Sequence, residues 1–369
     1  MRWAIVVGAV AALAGSAAAH QASITYSRAR VDGAHLDYQI RIAAADLAEP
    51  AGLAPTTAID LDRLDAAAWT RIATYVSERI AIDDGGQPCA IAALIARRDG
   101  DRALVQWRAQ CPTPIAHLGI DYDLFFDLDP GHDAALRVEA PGREPADTIL
   151  VAEAARFEWD LAAAPPSTAW AFIRAGIHHV ATGLDHVAYV IALLIALAIT
   201  GGPSWRRRPL GPALRAAATR VSAFTVAHSL TLIAAALGWV ELPTRLVECA
   251  IAASIVWTAL AAWWRPDGKG GFAITFGFGL MHGLGFARML TPLLPAGDVL
   301  VPLLCFNLGV ELAQLAIVGV VLPTALLVAR ALGAARYHRY VLPPLAIALA
   351  GLGAIWLIER SFELRLLGL

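Results

Sequence analysis

Ile177-His178-His179-Val180-Ala181-Thr182-Gly183-Leu184-Asp185-His186 opens a long apolar run that continues Val187-Ala188-Tyr189-Val190-Ile191-Ala192-Leu193-Leu194. Three imidazoles and a carboxylate stand at the head of that run. Inside a bilayer each ionisable group costs about 2.5–3.5 kcal/mol on insertion scales, so such a cluster marks a functional site. Imidazole with carboxylate is also a donor set that suits nickel, zinc, copper or iron. On an uninterrupted helix His179 and His186 share a face, as do His178 and Asp185, and Thr182 lies three or four residues from each. The spacing predicts one polar stripe in an otherwise lipid-compatible segment.

The rest of the chain fits a membrane setting. Of its 369 residues 58% are hydrophobic and 16% charged, against about 25% charged in soluble proteins. Met1-Arg2-Trp3, an apolar run to Ala14 and the small residues Ala17 and Ala19 read as a cleavable secretory leader over residues 1–19. Cleavage there makes His20 the N-terminus, where an α-amine and an imidazole can chelate a metal as a pair; an ordinary histidine beside a processing site is the plainer reading.

Residues 20–165 form a compositional block with 23 acidic residues against 13 arginines and no lysine. Alternating stretches at His35–Ile42, Ala103–Gln110, Leu118–Phe126 and Ala135–Glu139 predict strands. A helical pattern covers 62–80. The expected fold is a β-rich, sandwich-like extracytoplasmic domain. Its oxidising surroundings permit a disulfide between Cys89 and Cys111, whereas Cys249 and Cys305 lie in apolar segments and read as small hydrophobes.

From residue 166 the balance turns to 15 basic against 8 acidic residues. Apolar runs predict a bundle of six transmembrane helices near 171–199, 216–238, 244–264, 271–290, 299–328 and 340–358. Basic residues gather in alternate loops: Arg206, Arg207, Arg208 and Arg215, then Arg265 and Lys269, then Arg330, Arg336 and Arg339. By the positive-inside rule those loops are cytoplasmic, so the soluble block and the C-terminus lie outside. This is the topology a leader peptide requires, with the bacterial inner membrane as the expected location.

Polar residues recur in the later spans at a similar depth. The second carries Thr225 and His228, the fourth His282, and the fifth Asn307, Glu311 and Gln314 at i, i+4, i+7 spacing; Glu248 stands near the outer mouth of the third. Together they suggest a polar cavity open to the outside. Asn307 and Gln314 serve equally as inter-helix hydrogen-bond partners, and Glu248 as a partner of Arg245. Glycines in Phe276-Gly277-Phe278-Gly279-Leu280-Met281-His282-Gly283-Leu284-Gly285 allow the fourth helix either to approach its neighbours closely or to break.

At these residues the chain resembles the HupE/UreJ family of nickel permeases. His179-x5-Asp185-His186 matches the family's H-x5-D-H signature, and Phe278-Gly-Leu-Met-His282-Gly-Leu-Gly-Phe-Ala is similar to its second histidine-bearing helix. The Ala-His-Gln-Ala-Ser start and Phe125-Phe-Asp-Leu-Asp-Pro resemble the branch with a large extracytoplasmic domain. The resemblance implies uptake of Ni2+, or less often Co2+, with His179, Asp185 and His186 binding the ion and His282 a partner.

The combined expectation is a permease rather than an enzyme. Its metal set is His178, His179, Asp185, His186, His228, His282 and Glu311; Thr182, Thr225, Asn307, Gln314 and Glu248 line the path. Zn2+ and Cu2+ also suit these donors. Ligands must be deprotonated, so uptake is expected to weaken as pH falls. Competing expectations are an intramembrane zinc-dependent hydrolase and a metal sensor or chaperone that moves no ion. No H-E-x-x-H or phosphate-loop motif occurs. The expected surroundings are lipid and metal ion, without nucleic acid.

Overall fold

The computed structural model describes residues 24–362 apart from 49, 53–58, 130–131, 202–204, 265–270 and 291–299. The predicted leader, His20, the loop holding Arg265 and Lys269, and the loop before Leu300 lie outside the described residues. Among the described residues the chain divides into two compact units, a β-rich one that takes in 24–175 and 300–302, and a helical one that takes in 176–290 and 303–362.

In the β-rich unit, β1 (Ile24–Asp32) and β2 (His35–Ala43) form a hairpin, with Gly33 at φ 60° supplying a left-handed turn residue. They sit inside a six-stranded sheet that also contains β5 (Ala90–Asp99), β6 (Arg102–Gln110), β8 (Asp133–Glu139) and β9 (Ala146–Leu150), in the order β5-β6-β2-β1-β8-β9. Only the β1–β8 pairing in this sheet is parallel. A second sheet runs β10-β7-β3-β4, from β3 (Ile80–Asp84), β4 (Gln87–Pro88), β7 (His117–Tyr122) and β10 (Arg156–Asp160). Tyr38, Ile40 and Trp107 of one sheet and Ile82, Ile120 and Phe157 of the other share one buried core with Ile72 and Val76. The last two belong to α1 (Ala66–Glu78), whose first turn is capped by Asp65 accepting from the Ala68 N–H at 2.7 Å. Cys89 and Cys111 form a disulfide, Cα–Cα 4.2 Å.

One predicted strand stops early. β7 ends at Tyr122, and residues 124–128 turn instead, with Phe125 at φ 69°. A left-handed non-glycine residue needs outside support. Here the Phe125 ring packs edge-on to His132 at 5.3 Å and lies 6.0 Å from Tyr75. His132 is wholly buried among Tyr122, Phe125 and Phe126, and its Nε2 lies 3.1 Å from Thr25 Oγ1. Burial pushes its pKa down to about 3. Beside it, Asp133 has a buried Oδ1 with no hydrogen-bond partner, and burial, helped by the Asp129 charge, pushes its pKa up to about 7.

The helical unit takes over within α2 (Thr168–Thr182), which is followed by α3 (Leu184–Ile195), the two helices bent 72° apart at Gly183. The predicted first span is therefore two helices, not one continuous stripe. The local cause is legible: Gly183 adopts a non-helical ψ of 89°, and the Thr182 hydroxyl donates back to the His178 carbonyl at 2.8 Å. The Asp185 carboxylate takes the His186 N–H at 2.8 Å in the first turn of α3. A Cβ at Gly183 would come within 2.6 Å of the His179 carbonyl oxygen, so no larger residue fits.

Then follow α4 (Leu210–Ala236), α5 (Thr244–Trp264), α6 (Gly271–Leu290), α7 (Leu300–Leu332), α8 (Ala334–Tyr340) and α9 (Leu342–Phe362). Among the described residues three helices are long and apolar enough to cross a membrane: Thr244–Trp264, Leu300–Leu332 and Ala334–Phe362. The bent pair makes a fourth if it counts as one span. The six expected from composition are not reached. α4 has the length, but arginines, serines and threonines dilute its apolarity, and the described apolar part of α6 stops at Gly285. These helices make the chain a membrane protein, and large apolar side chains such as Val226, Leu246, Val320 and Ile347 stand exposed along them.

α6 does not break at its glycines; it uses them for contact. A Cβ on Gly279 would stand 2.5 Å from the Phe224 carbonyl oxygen and 2.9 Å from Ala227 Cβ of α4, and one on Gly283 would collide with the His228 carbonyl and Thr231 Oγ1. Gly176 of α2 likewise lies against the Phe306 carbonyl of α7. Missing side chains let these backbones approach.

Candidate metal site between the helices

The bend at Gly183 folds the head of α3 back toward α2, so His179 and His186 meet with ring centroids 4.7 Å apart. Two further imidazoles reach the same place, His282 of α6 at 5.2 Å and His228 of α4 at 6.3 Å from the His186 ring. The close α4–α6 packing through Gly279 and Gly283 is what delivers them. His178, one residue before His179, is buried on α2. Aromatic side chains enclose the group: Tyr189 lies 5.3 Å and Phe224 4.9 Å from His282.

Hydrogen bonding decides which ring nitrogens face inward. His186 Nδ1 stands 2.9 Å from Asp185 Oδ1, and a carboxylate accepts, so Nδ1 carries the proton. Its Nε2 is then the lone-pair nitrogen, buried with no hydrogen-bond partner. In His282 the other nitrogen is tied. Ser254 Oγ gives its proton to the Ile251 carbonyl at 2.6 Å, so it accepts from His282 Nε2 at 3.1 Å, leaving Nδ1 as a buried lone pair without a partner. Neither ring nitrogen of His228 has a hydrogen-bond partner. Buried polar atoms left so are costly, and a metal-bound histidine characteristically ties its second nitrogen to a carboxylate or other oxygen. The donor set fits a divalent transition metal. As they stand, however, no three His, Cys, Asp or Glu side chains among the described residues close into a ready coordination shell.

A second polar tier lies between α4 and α7. Ser222 Oγ donates to Glu311 Oε1 at 2.7 Å, and Thr225 Oγ1 donates to Gln314 Oε1 at 3.0 Å. Asn307 Nδ2 donates to the Leu303 carbonyl of its own helix. Asn307 Oδ1, Glu311 Oε2 and Gln314 Nε2 are buried without hydrogen-bond partners. Thr182 is engaged with its own helix and does not extend a stripe. Arg245 donates to the Ser361 carbonyl, and the Glu248 carbonyl accepts from Arg360 Nη1 at 3.2 Å.

Three participants escape a reading of the sequence. Ser254 orients His282, Ser222 holds Glu311, and Arg360 Nη2 stands 3.8 Å from Asp185 Oδ2. A lone serine within the apolar run of residues 250–264 is the available signal for Ser254; Arg360 looks like any arginine ending a helix.

A family model described as HupE / UreJ protein matches residues 156–360, more than half of the chain. The chain belongs to the HupE / UreJ family. The match spans all the histidine, carboxylate and amide residues of the candidate site and ends at Arg360. The β-rich unit lies almost wholly before the HupE / UreJ match. Comparison with curated proteins gives no match.

Proposed function

We propose that this HupE / UreJ protein is a membrane permease for a divalent transition-metal ion, Ni2+ or Co2+, carried through the histidine cluster. The observation behind this reading is the set of buried imidazole nitrogens without partners on His186, His228 and His282, two of them oriented by a second, tied nitrogen. The ion is cargo. His179, His186, His228 and His282 would ligate it, Asp185 would supply negative charge, and His178 would support the entrance. Glu311, with Asn307, Thr225 and Gln314, would form the next station. Because the resting rings do not converge on one point, binding would draw them inward by small side-chain movements, which suits a transit site better than a storage site.

The same reading takes the helical unit as six spans. α4 is diluted by polar residues that include Thr225 and His228 of the cargo site, and polar residues facing a cavity lower hydropathy without preventing a crossing. The leader, the arginine-rich loops and the acidic β-rich unit together favour a place for that unit outside the inner membrane, where its negative charge gathers cations.

The experiment is Ni2+ and Co2+ flux into proteoliposomes containing the full-length protein, paired with metal content of the purified protein and of His179→Ala and His186→Ala. Flux that depends on both histidines is expected. Protein that binds metal but moves none would reject the permease reading in favour of a sensor or hydrolase.

A further inference from the structure

Asp185 is held from both sides. Its Oδ1 accepts from the ring and backbone N–H of His186, and its Oδ2 faces Arg360 Nη2 at 3.8 Å. Arg360 is also anchored to α5. The last turn of α9 is fastened to α5 through Arg360 Nη1 on the Glu248 carbonyl, Arg245 on the Ser361 carbonyl, and Cys249 Sγ 3.4 Å from Ser361 Oγ. At 3.8 Å the contact with Asp185 is an ion pair but not a hydrogen bond. The guanidinium is tied firmly at one nitrogen and loosely at the carboxylate.

A guanidinium keeps its charge at any physiological pH. While it faces Asp185 the pair is neutral and the carboxylate has little attraction left for an incoming cation. A divalent ion on the imidazoles beside a retained Arg360 would meet a like charge in a poorly screening interior. One of the two cations has to leave.

We infer that Arg360 is a tethered counter-ion of Asp185 that an entering divalent cation must displace, and whose return to the carboxylate promotes release. This rests on the permease reading and deepens it. It gives the site a means of binding without trapping, which any conducting site requires. Arg360 thereby acts as a positioning residue that sets affinity through Asp185; no ligation by Arg360 itself is involved.

The test uses full-length protein in detergent, titrated calorimetrically with Ni2+, and proteoliposome flux of the same variants. Arg360→Gln and Arg360→Met remove the charge, the second with an apolar chain that a membrane interior tolerates. Both are expected to tighten Ni2+ binding about tenfold or more and to slow turnover. Arg360→Lys, which keeps the charge, is expected to stay within about threefold of the parent. Unchanged or weaker binding in both folded neutral variants would overturn the inference, as would equal tightening by Arg360→Lys. A structural role alone would lower thermal stability and leave affinity where it was. Failure of the permease reading looks different: the parent protein and every Arg360 variant would then bind Ni2+ yet move none into proteoliposomes.

Discussion

Replacing Gly279 by alanine adds one methyl group at the closest contact between α4 and α6. The new Cβ would stand 2.5 Å from the Phe224 carbonyl oxygen, where ordinary contact starts at 3.4 Å, a shortfall of 0.9 Å. Backbone cannot give way as a flexible side chain can, so α6 has to retreat or rotate by about that amount. His282 lies three residues further along the same helix, and its ring would move with it, away from His186. Overpacking of this kind costs about 1–3 kcal/mol, and a displacement near 1 Å in a positioned site costs up to about a hundredfold in function. Gly279→Ala is therefore expected to lower the unfolding temperature and to weaken Ni2+ affinity at least about tenfold. Gly277→Ala, two residues away, is the control: its Cβ meets nothing within 4 Å, and alanine in place of glycine favours a helix by up to about 1 kcal/mol. Calorimetric titration and thermal unfolding of both variants in one detergent decide the matter. Wild-type affinity in Gly279→Ala, or equal damage in Gly277→Ala, would refute the close-approach argument.

Asp185→Ala removes the acceptor that fixes the His186 tautomer, and Ni2+ uptake into proteoliposomes should be lost; undiminished uptake would remove this carboxylate from the mechanism. Reducing the Cys89–Cys111 bridge, which spans 22 residues, should cost the β-rich unit about 3 kcal/mol of stability, read as a lower melting transition with dithiothreitol, and an unmoved transition would contradict it. His132 and Asp133 make opposite pH demands. With Asp133→Asn, His132 is the member of this pair that still titrates: its pKa of about 3 lies below the unfolded 6.5, so its contribution to stability falls as pH drops from 6.5 toward 3. With His132→Gln, Asp133 is the member that still titrates: its pKa of about 7 lies above the unfolded 3.8, so its contribution is fullest below 3.8 and declines as pH rises to 7. Each arm amounts to something on the order of 4 kcal/mol, and in scanning calorimetry of the full-length proteins the stability change relative to the parent should rise with pH for Asp133→Asn and fall with pH for His132→Gln, where parallel differences would be inconsistent.

What the sequence makes legible follows from how each signal is encoded. α5 and α6 emerge with the bounds expected from their apolar runs, because Pro243 precedes the first and Gly270-Gly271 the second. β2 and the later halves of β6 and β8 are readable from alternation, since there one face is buried and the other is not. β5 is not: as an edge strand it is exposed at most positions and has no inside-outside rhythm to read. The bend at Gly183 also escapes, because hydrophobic periodicity runs through a single glycine without interruption. Seven-residue spacing pairs His179 with His186 on a straight helix. The rings do meet, but across a bend. Ser254 and Arg360 act through residues 28 and 175 positions away, and only the fold brings such partners together.

That last separation bears on how the protein is made. A ribosome adding about 5–20 residues per second finishes Asp185 roughly 9–35 s before it reaches Arg360, 175 residues later. Throughout that interval the nascent helices must settle in the bilayer with a carboxylate whose countercharge does not yet exist. In that interval its partners are the backbone and ring N–H of His186, one residue away, so the local half of the pairing is in place well before the distant half.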